Sequence, residues 1–420
     1  MISGTNNSQT PSAVLTRTGP VHGNVSTTDV LQDLKSRRNN VLAGKINCIP
    51  FPFKRFSESI PGVEQEQYVV ITASTKAGKT MLTSYLYLYN VLEYCFNNPT
   101  QCDCHIIYFA LEESPMRIIQ RYMSHLLWKL DGMRLAPTDL RSTSIDYPVP
   151  QEALDLLNSK PYQDRLRFFE EHVQFETENT NPTGIRNVCI EYAKSVGTLV
   201  TRKIKSKSDP GKEVEVFDSY TPNNPNLYKI MIVDHMSLVD QEKGFTTKQT
   251  MDKISEYCVK YLRNRFKFTC VMVQQQNFEQ EGLDAIKQKH MMPTLAGLAD
   301  SKYSSRDANV VVGLFSPNKF GIPSWLGYDI TKLGNYARFV KILAARDGEA
   351  DLSYAFFFDG AVCDFQELPR PDEVDALAPF YLEAESRKTY RQQRKLLSLG
   401  AMISLILVNM EKNNNYKLSK

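Results

Sequence analysis

Tyr68-Val69-Val70-Ile71-Thr72-Ala73-Ser74-Thr75-Lys76-Ala77-Gly78-Lys79-Thr80 joins an apolar, β-branched run to a segment with the spacing of a phosphate-binding loop. The run suits a buried strand. Beyond it, Met81 to Phe96 contains no Gly or Pro and stops at Asn97-Asn98-Pro99, which predicts a helix. Strand, loop and helix in this order surround phosphates with backbone N–H groups and the positive helix end. The loop Ala73, Ser74, Thr75, Lys76, Ala77, Gly78, Lys79 and Thr80 therefore predicts a nucleotide site. Lys79 is placed to reach the β and γ oxygens, and Thr80 to offer its hydroxyl to Mg²⁺.

Working outward, short apolar strands alternate with helical stretches. His105 to Leu111 leads into Glu112-Glu113, Tyr228 to Val233 leads into Asp234, and Thr269 to Val273 runs into Gln274-Gln275-Gln276-Asn277. The pattern predicts an α/β fold with a mainly parallel central sheet flanked by helices. Ligands of such sheets bind at the carboxyl ends of the strands, where these polar groups stand. Asp234 fits a water-mediated Mg²⁺ ligand, and equally a strand-ending turn residue when taken alone. Glu112 is a candidate to polarise the attacking water, and Glu113 competes with it on spacing.

The chain has 420 residues, 42% of them hydrophobic, enough for one large α/β domain with appendages or for two domains. A formal net charge of +3 leaves the partner open, since a basic groove can hide inside a balanced total. The eight cysteines show no paired CxxC spacing, and Cys102-Asp103-Cys104 is too cramped for half a zinc site, so reduced thiols in the cytoplasm are expected. The first thirty or so residues are polar and lack an apolar segment, which predicts a disordered arm over residues 1–27 rather than a signal peptide. Leu396 to Met410 is apolar with basic flanks, but shorter than the ~20 residues a membrane span needs. A packed or partner-facing helix is expected there, within a C-terminal extension over residues 371–420, and no membrane partner.

Taken together these motifs resemble the replicative helicases of DnaB type, members of the RecA-like motor class, over roughly Val30 to Leu368. Phe109-Ala110-Leu111-Glu112 is similar to the family's strand ending in a catalytic glutamate, and Ile232-Val233-Asp234-His235 to its Mg²⁺-binding strand. Gln274 to Asn277 resembles the segment whose glutamine senses the γ-phosphate, with Gln275 in that position. Leu298 to Leu314, with Asp300-Ser301 and Asp307 to Val311, resembles the segment leading into the next core strand. Phe339 to Gly348, followed by Tyr354 to Phe358, resembles the finger strand and its neighbour. The resemblance implies a RecA-like ATPase domain over 61–370 with antiparallel strands near its end, and a role for Arg346 in an adjacent subunit's nucleotide site. Read alone, Arg346 is a hairpin residue before the Asp347-Gly348 turn.

The resemblance further implies ATP and Mg²⁺ as ligands, single-stranded DNA as partner, a homo-hexamer, and contact with a primase or helicase loader. Two departures stand out. The family's Lys two residues before the finger arginine is Ala344 here, unless Lys341 substitutes, and the amino-terminal collar has no counterpart in the about sixty residues before the core strand. Thr28 to Leu42, within a 28–60 connection, resembles the linker helix that docks on the next subunit. DNA contacts are expected at loops holding Lys243, Lys248, Lys287 and Lys289, whereas Arg202 to Lys212 reads first as a solvated basic loop. The expected activity is ATP-dependent unwinding by a ring-forming motor, in a host bacterial cytoplasm if the gene is phage-borne. Rival readings are a recombination or regulatory ATPase without unwinding, and a protein that binds ATP only to assemble or load.

Overall fold

The computed structural model describes residues 14–17, 26–143, 147–205, 211–277, 291–298 and 303–389. Its main sheet has nine strands. In spatial order they are Asp364–Glu367, Ser353–Asp359, Ala337–Ala345, Val310–Phe315, Tyr68–Ala73, Phe268–Gln275, Leu227–Asp234, Asp103–Ala110 and Val173–Glu176. The five strands from Tyr68–Ala73 to Val173–Glu176 pair in parallel, and the last three in chain order pair antiparallel. This is the expected mainly parallel sheet with antiparallel strands toward the C-terminal end. Tyr68–Ala73 and Leu227–Asp234 are buried at every position, which explains why they read as continuous apolar runs.

The residues group into two compact units. The first comprises residues 1–114, 165–313 and 342–352. Its core interleaves Val70, Ile107, Phe109, Met231, Val233 and Met272 from the strands with Ile185, Met251, Ile254 and Leu262 from the helices. The second comprises residues 115–164, 314–341 and 353–420. There the buried carboxylate of Asp359 takes Arg134 Nη2 at 3.0 Å and Arg387 Nη1 at 2.5 Å, while Asp364 accepts from Trp128 Nε1 at 3.1 Å. Tyr336 stacks on Phe357 with centroids 5.1 Å apart.

Several elements differ from the sequence reading. The helix after the phosphate loop is not uniform: Lys79–Ser84 and Asn90–Asn97 are α-helical, and Tyr85–Tyr89 between them is a π-helical turn. Its five bulky residues are all buried. The basic run from Arg202 is no loop where described. It begins inside the strand Gly197–Lys205, which pairs antiparallel with Glu213–Pro222 and parallel with Val14–Arg17 to make a separate three-stranded sheet. Val14–Arg17 also gives the expected amino-terminal arm a strand. The edge strand Val173–Glu176 had only the short pattern Val173-Gln174-Phe175 to announce it.

The connecting helix runs Thr27–Leu42 and starts in a capping box, with Ser26 Oγ accepting from Asp29 N at 3.1 Å and Asp29 accepting from Ser26 N at 3.0 Å. No residue of it is buried, and Val30, Leu31 and Leu34 are exposed. A further helix occupies 374–389. Leu396 to Met410 lies outside the described residues, as do Lys287 and Lys289. Among the described residues no helix is long and apolar enough to cross a membrane.

Candidate nucleotide site

Parallel pairing sets the site. Ala110 lies in register with Asp234, and Gln275 with Ala73, so the strand ends that carry Glu112, Asp234 and Gln275 open at the same edge as the loop Ser74 to Gly78. The loop turns tightly by placing Lys76 at φ 60° and Gly78 at φ 107°. Lys76 carries a side chain in the left-handed region, a conformation that costs a non-glycine residue about 1 kcal/mol or more. Ala77 N donates to Ser74 O at 3.2 Å, and Leu82 N to Gly78 O at 2.9 Å, so the helix starts at the loop's last glycine. Successive N–H groups of Gly78, Lys79 and Thr80 precede the first intrahelical donors and are left for an anion.

The side chains converge on this edge. Lys79 Nζ lies 3.6 Å from Glu112 Oε2, with Lys79 largely covered and Glu112 about half exposed. Asp234 is 3% exposed and accepts from Tyr108 Oη at 3.1 Å, with the Thr80 side chain beside it. Burial raises its carboxyl above the usual carboxylate range, with Thr80 and Lys79 opposing. Asp234 Oδ1 and Ser74 Oγ are buried with no hydrogen-bond partner among the described residues. Orphaned buried oxygens of this kind call for a ligand. A carboxylate and a hydroxyl on adjoining elements are a hard-oxygen pair suited to Mg²⁺, which takes one or two protein ligands and fills its shell with phosphate and water. The residues present thus fit Mg-ATP.

Of the three consecutive glutamines, Gln275 faces the loop: its Nε2 donates to Thr75 Oγ1 at 2.7 Å. Gln274 instead accepts from Ser304 Oγ at 2.6 Å, and Gln276 donates to Thr72 Oγ1 at 2.9 Å. Arg346 is not brought to this chain's own loop. Its guanidinium donates to the carbonyls of Ala308 and Arg306 at 2.9 Å each. Lys243 and Lys248 are exposed, the first beside Gly244 and the second in the first turn of Thr247–Tyr257.

Two neighbours escaped the sequence reading. His235 Nε2 sits 3.8 Å from Glu112 Oε2, and its Nδ1 pairs with Ser237 Oγ at 2.7 Å. Burial, followed by Lys79, pushes His235 below its ordinary value, while Glu112 pulls the other way. A neutral imidazole beside Glu112 can orient that carboxylate without cancelling its charge. Adjacency to Asp234 was its only signal. Tyr108 lay inside a strand buried on both faces, where alternation no longer shows which side chain points at the site.

No family model matches the sequence, and no curated protein matches it either. Solved structures do. A DnaB-like replicative helicase, described together with its interactions with primase, aligns at 14% identity and a TM-score of 0.54, covering 82% of this chain and 68% of the other. A second solved structure, an ATPase domain, aligns at 14% identity and the same TM-score of 0.54, covering 82% of this chain and 100% of that domain. The RadB recombinase overlaps less closely, at 10% identity and a TM-score of 0.37, over 75% of this chain and 96% of its own. By its sheet order and by the first two alignments, the chain has the RecA-like fold of DnaB-type helicase ATPase domains.

Proposed function

We propose that the protein is an ATP hydrolase of DnaB type, a ring-forming motor that moves along single-stranded DNA and separates the duplex. The observation that carries the reading is the gathering of Lys79, Thr80, Asp234 and Glu112 around one phosphate loop, with Gln275 hydrogen-bonded to that loop. In this reading Lys79 and the loop N–H groups hold the triphosphate, and Thr80 and Asp234 hold the metal. Mg²⁺, when bound, screens the phosphate charge. Glu112 accepts a hydrogen bond from the attacking water and then its proton, which a half-exposed carboxylate can pass to solvent. Gln275 ties the end of its own strand to the loop through Thr75, so a change at the γ-phosphate would be felt at that strand end.

Translocation needs affinity without sequence preference, which exposed lysines such as Lys243 and Lys248 supply through phosphate contacts. A primase or loader as partner rests on the likeness to the DnaB-type helicase alone.

The test is ATP hydrolysis with and without single-stranded DNA, alongside unwinding of a forked duplex. Lys79→Ala is expected to abolish both. Glu112→Gln is expected to lower turnover by about two to four powers of ten while nucleotide binding persists. Stimulated hydrolysis without unwinding would favour a recombination or regulatory ATPase, and a Glu112→Gln chain at full activity would favour an assembly role.

A further inference from the structure

Glu112 stands just after the strand Asp103–Ala110, and its half-exposed carboxylate can turn about several side-chain bonds. A base that takes a proton from water needs one of those orientations held. Among the described residues two groups face the same oxygen, Oε2: Lys79 Nζ at 3.6 Å and His235 Nε2 at 3.8 Å. In the reading above Lys79 also serves the phosphates, so it cannot be the fixed partner of the carboxylate. His235 has no such second duty. Leu111 N donates to Asp234 O at 3.2 Å, which ties the backbone just before Glu112 to the backbone just before His235.

The imidazole is itself held. His235 is 9% exposed, and its Nδ1 pairs with Ser237 Oγ at 2.7 Å, within the turn that contains Met236–Leu238. A neutral imidazole carries one N–H, on Nδ1 or on Nε2. With the proton on Nδ1, the Nε2 lone pair would face a carboxylate oxygen. With the proton on Nε2, the ring presents an N–H to Glu112 and accepts the Ser237 hydroxyl at Nδ1. Repulsion disfavours the first arrangement and both contacts favour the second, so Ser237 and Glu112 select the same tautomer. The 3.8 Å separation is longer than a hydrogen bond, and a rotation of the Glu112 side chain closes it.

We propose that His235 is a positioning residue for hydrolysis: as the Nε2–H tautomer held by Ser237, it donates to one oxygen of Glu112 and so aims the other at the attacking water. This rests on the reading of Glu112 as the base. Each oxygen of a carboxylate accepts, so a donor on one leaves the second for water. Because the imidazole is neutral, Glu112 keeps the negative charge that draws the proton. The role is separate from that of Asp234, whose carboxylate accepts from Tyr108 Oη.

The experiment measures steady-state and single-turnover ATP hydrolysis by the full chain with single-stranded DNA, in wild type, His235→Ala, His235→Gln, Ser237→Ala and Glu112→Gln. His235→Ala is expected to lower kcat by about one to two powers of ten, with KM for ATP within a few-fold of wild type and an unchanged melting temperature. His235→Gln, whose terminal amide can still donate, should recover part of that loss. Ser237→Ala should lower kcat by several-fold, since it frees the tautomer and leaves the ring in place. Added to Glu112→Gln, His235→Ala should slow single turnovers little further, because its effect passes through that carboxylate, whereas a packing role would multiply the two losses. Wild-type kcat in His235→Ala or Ser237→Ala, or losses that multiply, would overturn the proposal and leave the ATPase reading standing. A wild-type chain without hydrolysis, or full turnover by Glu112→Gln, would remove the base and this proposal with it.

Discussion

Lys229 shows what a residue can hide from its sequence. It interrupts the strand Leu227–Asp234, yet it is 1% exposed and makes no ion pair among the described residues. Its ammonium lies 5.0 Å from the Tyr220 ring centroid and 6.0 Å from that of Phe268. Burial, and then Lys267, push it down from 10.5 to about 8, with Glu66 opposing. A lysine depressed in the fold destabilises the folded state while it is charged. The cost is fully present below pH ~8, and it is relieved as pH rises toward the unfolded value near 10.5, because there the native lysine is neutral while the unfolded one still holds its proton. Lys229→Met should therefore raise stability at pH 7 by about 1–3 kcal/mol, the two rings returning part of the desolvation cost in the wild type. That advantage should shrink between pH ~8 and 10.5. Denaturant midpoints at several pH values test this, and a less stable Met variant at pH 7 would refute it. By contrast, Lys79, Thr80, Asp234 and Glu112 were legible because each is fixed by the end of a strand or by a local loop pattern.

Elements were legible where a single period governs them. Tyr68–Ala73 and its flanking helix announce themselves, and the all-parallel core reads as apolar runs because both faces are covered. The π-helical turn Tyr85–Tyr89 was not legible, since no Gly or Pro marks it and buried tyrosines and leucines suit an α-helix equally. Nor was the ribbon Gly197–Lys205 with Glu213–Pro222, whose charges mimic a loop because most of its outer half is solvated. The short pair Ile49–Pro50 and Gly62–Val63 adds a constraint that no pattern discloses. A Cβ at Gly62 would stand 2.0 Å from Ile49 O and 2.8 Å from Pro50 Cα, both backbone atoms that cannot swing aside. Gly62→Ala should thus cost about 2–3 kcal/mol by forcing the two strands apart. Equilibrium unfolding checks it, and a change under about 0.5 kcal/mol would show that the strands yield freely.

At the scale of the whole molecule, a net charge of +3 over 420 residues gives little long-range attraction for a polyanion. On the proposed motor reading, affinity for single-stranded DNA must then come from a few local contacts, and salt titration counts them. Each phosphate neutralised on a single strand contributes about 0.7 to the slope of log affinity against log salt. Lys243 and Lys248 are exposed, so both can meet phosphate directly. Replacing both by alanine should reduce the slope by about 1.4 and weaken binding to unlike sequences equally, because phosphate contacts carry no base information. Fluorescence anisotropy with two strands of different sequence, from low to moderate salt, measures both effects. An unchanged slope would move the DNA path away from these lysines, whereas a loss confined to one sequence would imply base contacts that a translocating motor does not need.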